Sequence, residues 1–209
     1  MKICLLTLVL LMTLQIQAAV PRGALDFGSQ ITIARNDRLP MSARWQALVK
    51  AAEVADYQQI ALIKEFAKSK EWYMRNATLV ALEKININHA YDEAQILLKD
   101  KALVVRSAAV DVIASKYSRE GRDLLAGELN KSYNFSRKSS LWIRSKIFNI
   151  IASKAVVDDR NFFTKYLFDQ DEKIVNTAAA TLEELTHISF SEKDKVKSWR
   201  EFVKKNGWL

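Results

Sequence analysis

Apolar residues recur along this chain at steps of three and four, the period of a helix with one buried face. The pattern is clearest in Leu103–Ile113, where Val105, Ala108, Ala109, Val112 and Ile113 fall on one side. It returns in Trp72–Leu82, Leu141–Ile151 and Lys173–Glu183, which align with it without gaps, and more weakly from Met41 to Leu48. One anchor position ties the five together: Arg44, Arg75, Arg106, Arg144 and Asn176, at spacings of 31, 31, 38 and 32. So regular a step marks an internal repeat rather than a drifting amphipathic helix. Between the copies lie further amphipathic segments, Val54–Lys68, Ala90–Lys99, Arg119–Leu129 and Asp159–Phe168. The unit is therefore a helix, a turn and a second helix. A pair this short buries its apolar face only by stacking on its neighbours. Ala77, Ala108 and Ala178 share a position where a small side chain lets helices approach; Lys146 stands there in the Leu141 copy and predicts looser packing.

On the hydrophobic-Arg-x-Ala-Ala core of these second helices, residues 41–190 resemble the HEAT-repeat family in its short bacterial form. The resemblance implies an all-α chain, an α-α superhelix: a HEAT-like solenoid of about four to five helix-pair repeats. Asp100, six residues before Arg106, has the family's Asp–Arg spacing. Asp171 stands five before Asn176, and Ser69 and Lys138 fill the place elsewhere, so an interrupted Asp–Arg ladder is expected. The ends differ from the middle. Residues 19–40, with Gly23, Gly28 and Pro40 and no helical period, read as an extended arm or linker. Residues 191–209 read as a capping helix: Ser191–Asp194 opens it, Val196, Trp199, Phe202 and Val203 share a side, and Gly207 ends it.

Composition sharpens this picture in three ways. Only 5 Gly and 2 Pro occur in 209 residues, too few for the turns of a sheet-rich fold. Residues 1–18 read as a signal peptide: Lys2, the apolar run Ile3–Leu14, then Gln15–Ala19 with a cut near Ala18 or Ala19. That address predicts a periplasmic or secreted protein without a transmembrane segment once cut. The single cysteine, Cys4, leaves with the signal, so no disulfide is expected. The net charge of +8 inclines the surface toward anionic partners.

Catalytic patterns are lacking in the sequence, and the chain is read as non-enzymatic, with no cofactor and no metal. His89 and His187 stand alone in different repeats, and no nucleophile elbow or Gly-rich phosphate loop is found. Asp158-Asp159 reads as a helix start and Glu183-Glu184 as solvated. The anchor arginines admit two readings. They are ties to carboxylates or carbonyls of the adjoining layer, the favoured one, or a basic stripe along an inner wall. The resemblance places the second helices on a concave face, whose rows are Asn76, Ser107, Ser145, Thr177 and Val80, Asp111, Asn149, Thr181. The long spacing adds about seven residues within Asn130–Ser140, where Lys131, Tyr133, Phe135, Arg137 and Lys138 interleave base and aromatic, with Trp142 just beyond. Insertions in repeats map to loops on one face, often the binding face. Asn134-Phe-Ser136 also has the form of a glycosylation acceptor.

The expected function is that of an exported scaffold, holding a protein or peptide of the cell envelope through the concave rows and the 131–140 loop. An anionic glycan, polymer or membrane surface held by the positive charge is the alternative, and a HEAT-like enzyme a remote third. Nucleic acid is not an expected partner.

Overall fold

The structure, a computed structural model, describes residues 26–209; residues 1–18, expected to be a signal peptide and including Cys4, lie outside them. The described chain is all-α apart from one two-residue hairpin. Its helices are α1 (Phe27–Arg35), α2 (Met41–Val54), α3 (Ile60–Lys64), α4 (Trp72–Ile85), α5 (Ile87–Leu97), α6 (Leu103–Ser115) and α7 (Arg119–Glu128). After the hairpin come α8 (Trp142–Ala152), α9 (Arg160–Tyr166), α10 (Glu172–Thr186) and α11 (Lys195–Lys205). Short 3₁₀ turns flank α3, so the expected helix Val54–Lys68 is broken into three pieces.

The even-numbered helices α2, α4, α6, α8 and α10 touch in sequence, and the odd ones pack beside them as partners. The row runs parallel. Near the helix starts, Trp45 Nε1 donates to Asn76 Oδ1 across 3.3 Å. Near the ends, Lys84 donates to Glu53 and Ser115 to Glu83. Buried side chains at three- and four-residue steps drive this packing: Met74, Ala77 and Ala81 in α4, Val105, Ala109 and Ile113 in α6, Ile143, Ile147 and Ile151 in α8. α8 lies less closely against α6 than α6 does against α4. Lys146 sits at that contact, half-buried, reaching back to Ser107 Oγ (2.8 Å) and Asp111 (2.6 Å).

Two expectations change here. The segment 19–40 is not extended throughout: from Phe27 it forms α1, capped by Asp26 and packed on α2 through Phe27, Ile31 and Ala34. Four buried positions in nine residues are too short a pattern to stand out against Gly28 and the β-branched residues around them.

The second change is in register. In α2, α4, α6 and α8 the anchor arginine and the residues three, four and seven further on are all buried. In α10 that pattern belongs to Val175, with Ala178, Ala179 and Leu182, and Asn176 is exposed. Val175, not Asn176, is thus the anchor, and the last spacing becomes 31, as in the first two steps. The chain closes with α11, whose buried Trp199 and Val203 cover α10 together with Phe190, Phe202 and Trp208, an edge-to-face aromatic cluster. Ser191 makes no side-chain cap, and Gly207 takes the left-handed conformation (φ 64°) that lets the chain turn back.

Candidate binding surface

Four arginines lie one turn into α2, α4, α6 and α8, and all are buried. Each donates backward to carbonyls left open at the end of the preceding helix. The bonds are Arg44 to Ala34 O (3.0 Å), Arg75 to Ser69 O (2.9 Å), Arg106 to Asp100 O (2.8 Å) and Arg144 to Leu129 O (2.7 Å). A cation there meets the negative end of the helix dipole. Each also donates forward, to a group at the start of the next pair. Arg44 reaches the Tyr73 hydroxyl (2.7 Å), Arg75 the Asp100 carboxylate through two nitrogens, Arg106 Asn134 Oδ1 (3.2 Å) and Arg144 the Asp169 carboxylate (2.7 and 3.2 Å). The guanidiniums are engaged inside the fold and present no exposed stripe.

The ladder is therefore continuous, although only two of its rungs are Arg–Asp. Asp169, six residues before Val175, is the second acidic rung; Asp171 instead caps α10. Asp100 is almost wholly buried beside Arg75. Burial pushes its carboxyl up, but the Arg75 hydrogen bonds, the Ala102 N–H and Lys101 outweigh that and hold it below the ordinary aspartate range.

The inserted segment folds as a 3₁₀ turn, Ser132–Asn134, followed by strands β1 (Phe135–Ser136) and β2 (Ser139–Ser140). Asn134 and Glu128 are buried beneath it: Asn134 Nδ2 donates to Glu128 O (2.8 Å) while its Oδ1 accepts from Arg106. An amide engaged on both sides and 1% exposed cannot carry a glycan in this fold, which overturns the acceptor reading of Asn134. Tyr133 and Phe135 are half-buried and face inward as well. Tyr133 lies against Arg106 and donates its hydroxyl to Glu128; burial and that carboxylate together push the phenol above its ordinary range, so it stays protonated. Phe135 covers the Arg144 guanidinium at 4.4 Å. These two aromatics shield the arginine rungs and do not wait for a ligand.

What the hairpin does expose is charge. Arg137 and Lys138 form its two-residue turn, both left-handed (φ 48° and 69°), and Lys131 is exposed at its foot. Type I′ turns of this kind take Asn-Gly, since larger side chains cost energy at positive φ. Beside the turn, Lys138, Trp142, Ser145, Asp171, Glu172 and Lys173 are among the residues that line an open cleft of about 400 Å³, two bases facing two acids. Gln170 donates to Lys138 O (3.1 Å) and ties the turn to the next pair.

The expected wall is mostly engaged with itself. Asn76 accepts from Trp45, Ser107 and Asp111 accept from Lys146, and Thr177 Oγ1 donates to Asn149 (3.1 Å). Ser107 is buried, and so is Thr181, whose hydroxyl returns to Thr177 O. The one-residue shift of α10 turns Thr181 inward, so it does not belong to an exposed row. Val80 and Ser145 are half-exposed, Asp111 and Asn149 exposed.

Elsewhere, His89 lies beside Tyr57, and His187 closes α10 in a left-handed conformation. Among the described residues no three His, Cys, Asp or Glu side chains gather to hold a metal ion, and no helix is long and apolar enough to cross a membrane. Glu183 accepts from Phe190 N and pairs with Lys195, tying α11 to α10 instead of standing free in solvent. Glu128, Asn134 and Asp169 escaped the sequence reading. Only Asp169 had a signal to offer, the six-residue step shared by Asp100 and Arg106, and it shows once Val175 is taken as the anchor. No protein-family model matches this chain, and no curated protein matches it.

Proposed function

We propose that this chain is a HEAT-like solenoid acting as an exported, non-enzymatic interaction module that holds a protein or peptide of the cell envelope. The observation that carries the reading is the parallel row with its buried arginine rungs. Five like helices are locked in register by ties that keep the row stiff and leave its edges free. Rigid repeats of this kind offer a long surface of evenly spaced groups, which suits an extended partner better than a small substrate. Within this reading, the hairpin tip contributes exposed cations at Arg137 and Lys138, and Trp142 contributes apolar surface beside them. The wall rows add little, because their polar groups bond to one another.

The test is affinity capture from envelope extract on immobilised residues 19–209, at low and at high salt. A discrete protein retained at high salt is the expected result. Recovery that stays the same in Arg137→Gln with Lys138→Gln would remove the hairpin tip from the surface. The exposed cations Lys131, Arg137 and Lys138 also favour a second reading, an anionic glycan or membrane surface. Retention of lipid or glycan alone, lost steeply as salt rises, would select it.

A further inference from the structure

Arg160, in α9, differs from the other arginines that the fold draws partly out of water. Besides the four rungs, Arg122 pairs through its two Nη atoms with Asp123 and Asp159, and Arg200 donates to Leu167 O (2.7 Å). Arg160 forms no hydrogen bond and no salt bridge among the described residues, and its Nε is shut away from water without an acceptor. Its guanidinium lies over the Trp208 ring, 4.3 Å from the centroid. A guanidinium stacked on an aromatic face keeps its in-plane N–H groups for an acceptor at its edge. The Trp208 ring is itself held in place. Its backbone N–H donates to Val203 O (3.0 Å), its carbonyl accepts from Thr164 Oγ1 (3.3 Å), and Phe202 meets it edge to face. Arg160 and Trp208 line a cleft of about 260 Å³ with Val157, Leu185, Thr186 and Ile188, where the α8–α9 turn meets the end of α10. No acid lines it. Asp158 and Asp159 face the neighbouring cleft, and Leu209 is exposed and not part of the lining. The Thr186 hydroxyl donates to Leu182 O (2.7 Å) and accepts from the Ile188 N–H, so the guanidinium is the polar group left open.

Resting on the interaction-module reading for its source, we propose that this cleft binds the C-terminal residue of a partner peptide or protein, with an aliphatic side chain at that last position. One cation with no acid beside it matches one negative charge, and a guanidinium takes a carboxylate through two parallel N–H bonds. The other walls are aliphatic or indole, which favours an apolar group attached directly to the charge. A phosphate would bring more charge than one guanidinium offsets and set its remaining oxygens against apolar wall. The volume falls short of the about 300–1000 Å³ of pockets that enclose a whole small-molecule ligand, and it suits a single residue. Capture of a terminal carboxylate is a recurring way of reading a peptide. Val157 in the lining and Val156 next to it are 68% and 59% exposed, an apolar ridge that the preceding residues of the bound chain cross as they leave the cleft.

The experiment titrates residues 19–209, isotope-labelled at the tryptophan indoles, with the peptide acetyl-Ala-Ser-Val-Leu bearing a free C-terminal carboxylate. The Trp208 resonance, assigned by its loss in Trp208→Phe, moves and saturates. The same peptide as its C-terminal amide, and a peptide ending in Glu, each bind at least about tenfold more weakly. Arg160→Gln loses about tenfold in affinity for the acid and little for the amide, and it folds as the wild type does, since its guanidinium bonds to no other group of the chain. The amide comparison decides the matter should that variant fail to fold. Acetyl-leucine binds more weakly than the tetrapeptide, because it lacks the residues that cross Val156 and Val157. Equal affinity for acid and amide, an unaltered affinity in Arg160→Gln, or an unmoved Trp208 resonance overturns the proposal. So does acetyl-leucine or inorganic phosphate that binds as tightly as the tetrapeptide, which gives the cleft to a free small anion. Envelope capture separates this site from the module reading. Protein retained equally by the wild type and Arg160→Gln, with no peptide bound, overturns the cleft and keeps the module. Peptide bound at Trp208 with no protein captured keeps the cleft and removes the module.

Discussion

Arg75 and Asp100 meet with both side chains almost wholly out of water, and neither could be there alone. Removing one partner leaves the other as a buried, uncompensated charge, so Asp100→Ala costs about 3–5 kcal/mol in unfolding free energy by urea titration. The depressed carboxyl also fixes a pH dependence. A folded value below the unfolded one, about 3.9, means that the ionised form's contribution is complete above that pH. It is lost as pH falls through the folded value. Asp100→Asn should therefore fall short of the wild type most at neutral pH, and the gap should close below about pH 4. A gap that stays constant with pH would detach this carboxylate from the acid slope. That Asp100 belongs to the ladder was legible from its spacing to Arg106. Its partner was not, because Arg75 lies 25 residues away and only packing brings them together.

The β1–β2 hairpin shows how an element can be legible as an insertion and illegible as a shape. Length gave its place, and basic and aromatic residues invited a binding role for all of it. Packing divided that set. Tyr133 and Phe135 turned inward over arginines, while Arg137 and Lys138 were held outward in a strained turn. Two non-glycine residues at positive φ cost about 1–2 kcal/mol each in the left-handed region. Arg137→Asn with Lys138→Gly, which suits the turn, should raise stability by about 1–3 kcal/mol and Tm by about 2–4 °C for each kcal/mol. A lower Tm would show that the two side chains pay for their strain through contacts of their own. The shift of α10 has a similar cause. A gapless alignment favours matching residue types, yet Asn176 is polar and Val175 apolar, and the helix rolls to bury the apolar one.

Among the described residues, stability rests on packing each helix pair against the next, and α10 is followed by α11 instead of by another pair. α11 takes that place with Trp199 fully buried between Phe190, Phe202 and Trp208. Trp199→Ala should cost about 3–5 kcal/mol, the range for losing a large buried aromatic, measured by chemical denaturation. Removal of 191–209 should go further and leave the buried face of α10 open, which would appear as self-association in sedimentation. A truncated chain that stays monomeric and equally stable would deny the cap its role.

The repeat, the helical class, the row helices and the closing helix were written in the sequence, because a 3.6-residue period and a 31-residue step are local regularities that survive without any knowledge of the fold. The ladder's partners, the true anchor at Val175 and the inward turn of Tyr133, Phe135 and Thr181 were settled only by tertiary structure. Each depends on which atoms meet across helices some 25 to 31 residues apart. A side chain's type records what it is able to do, and its neighbours decide whether water or protein receives it.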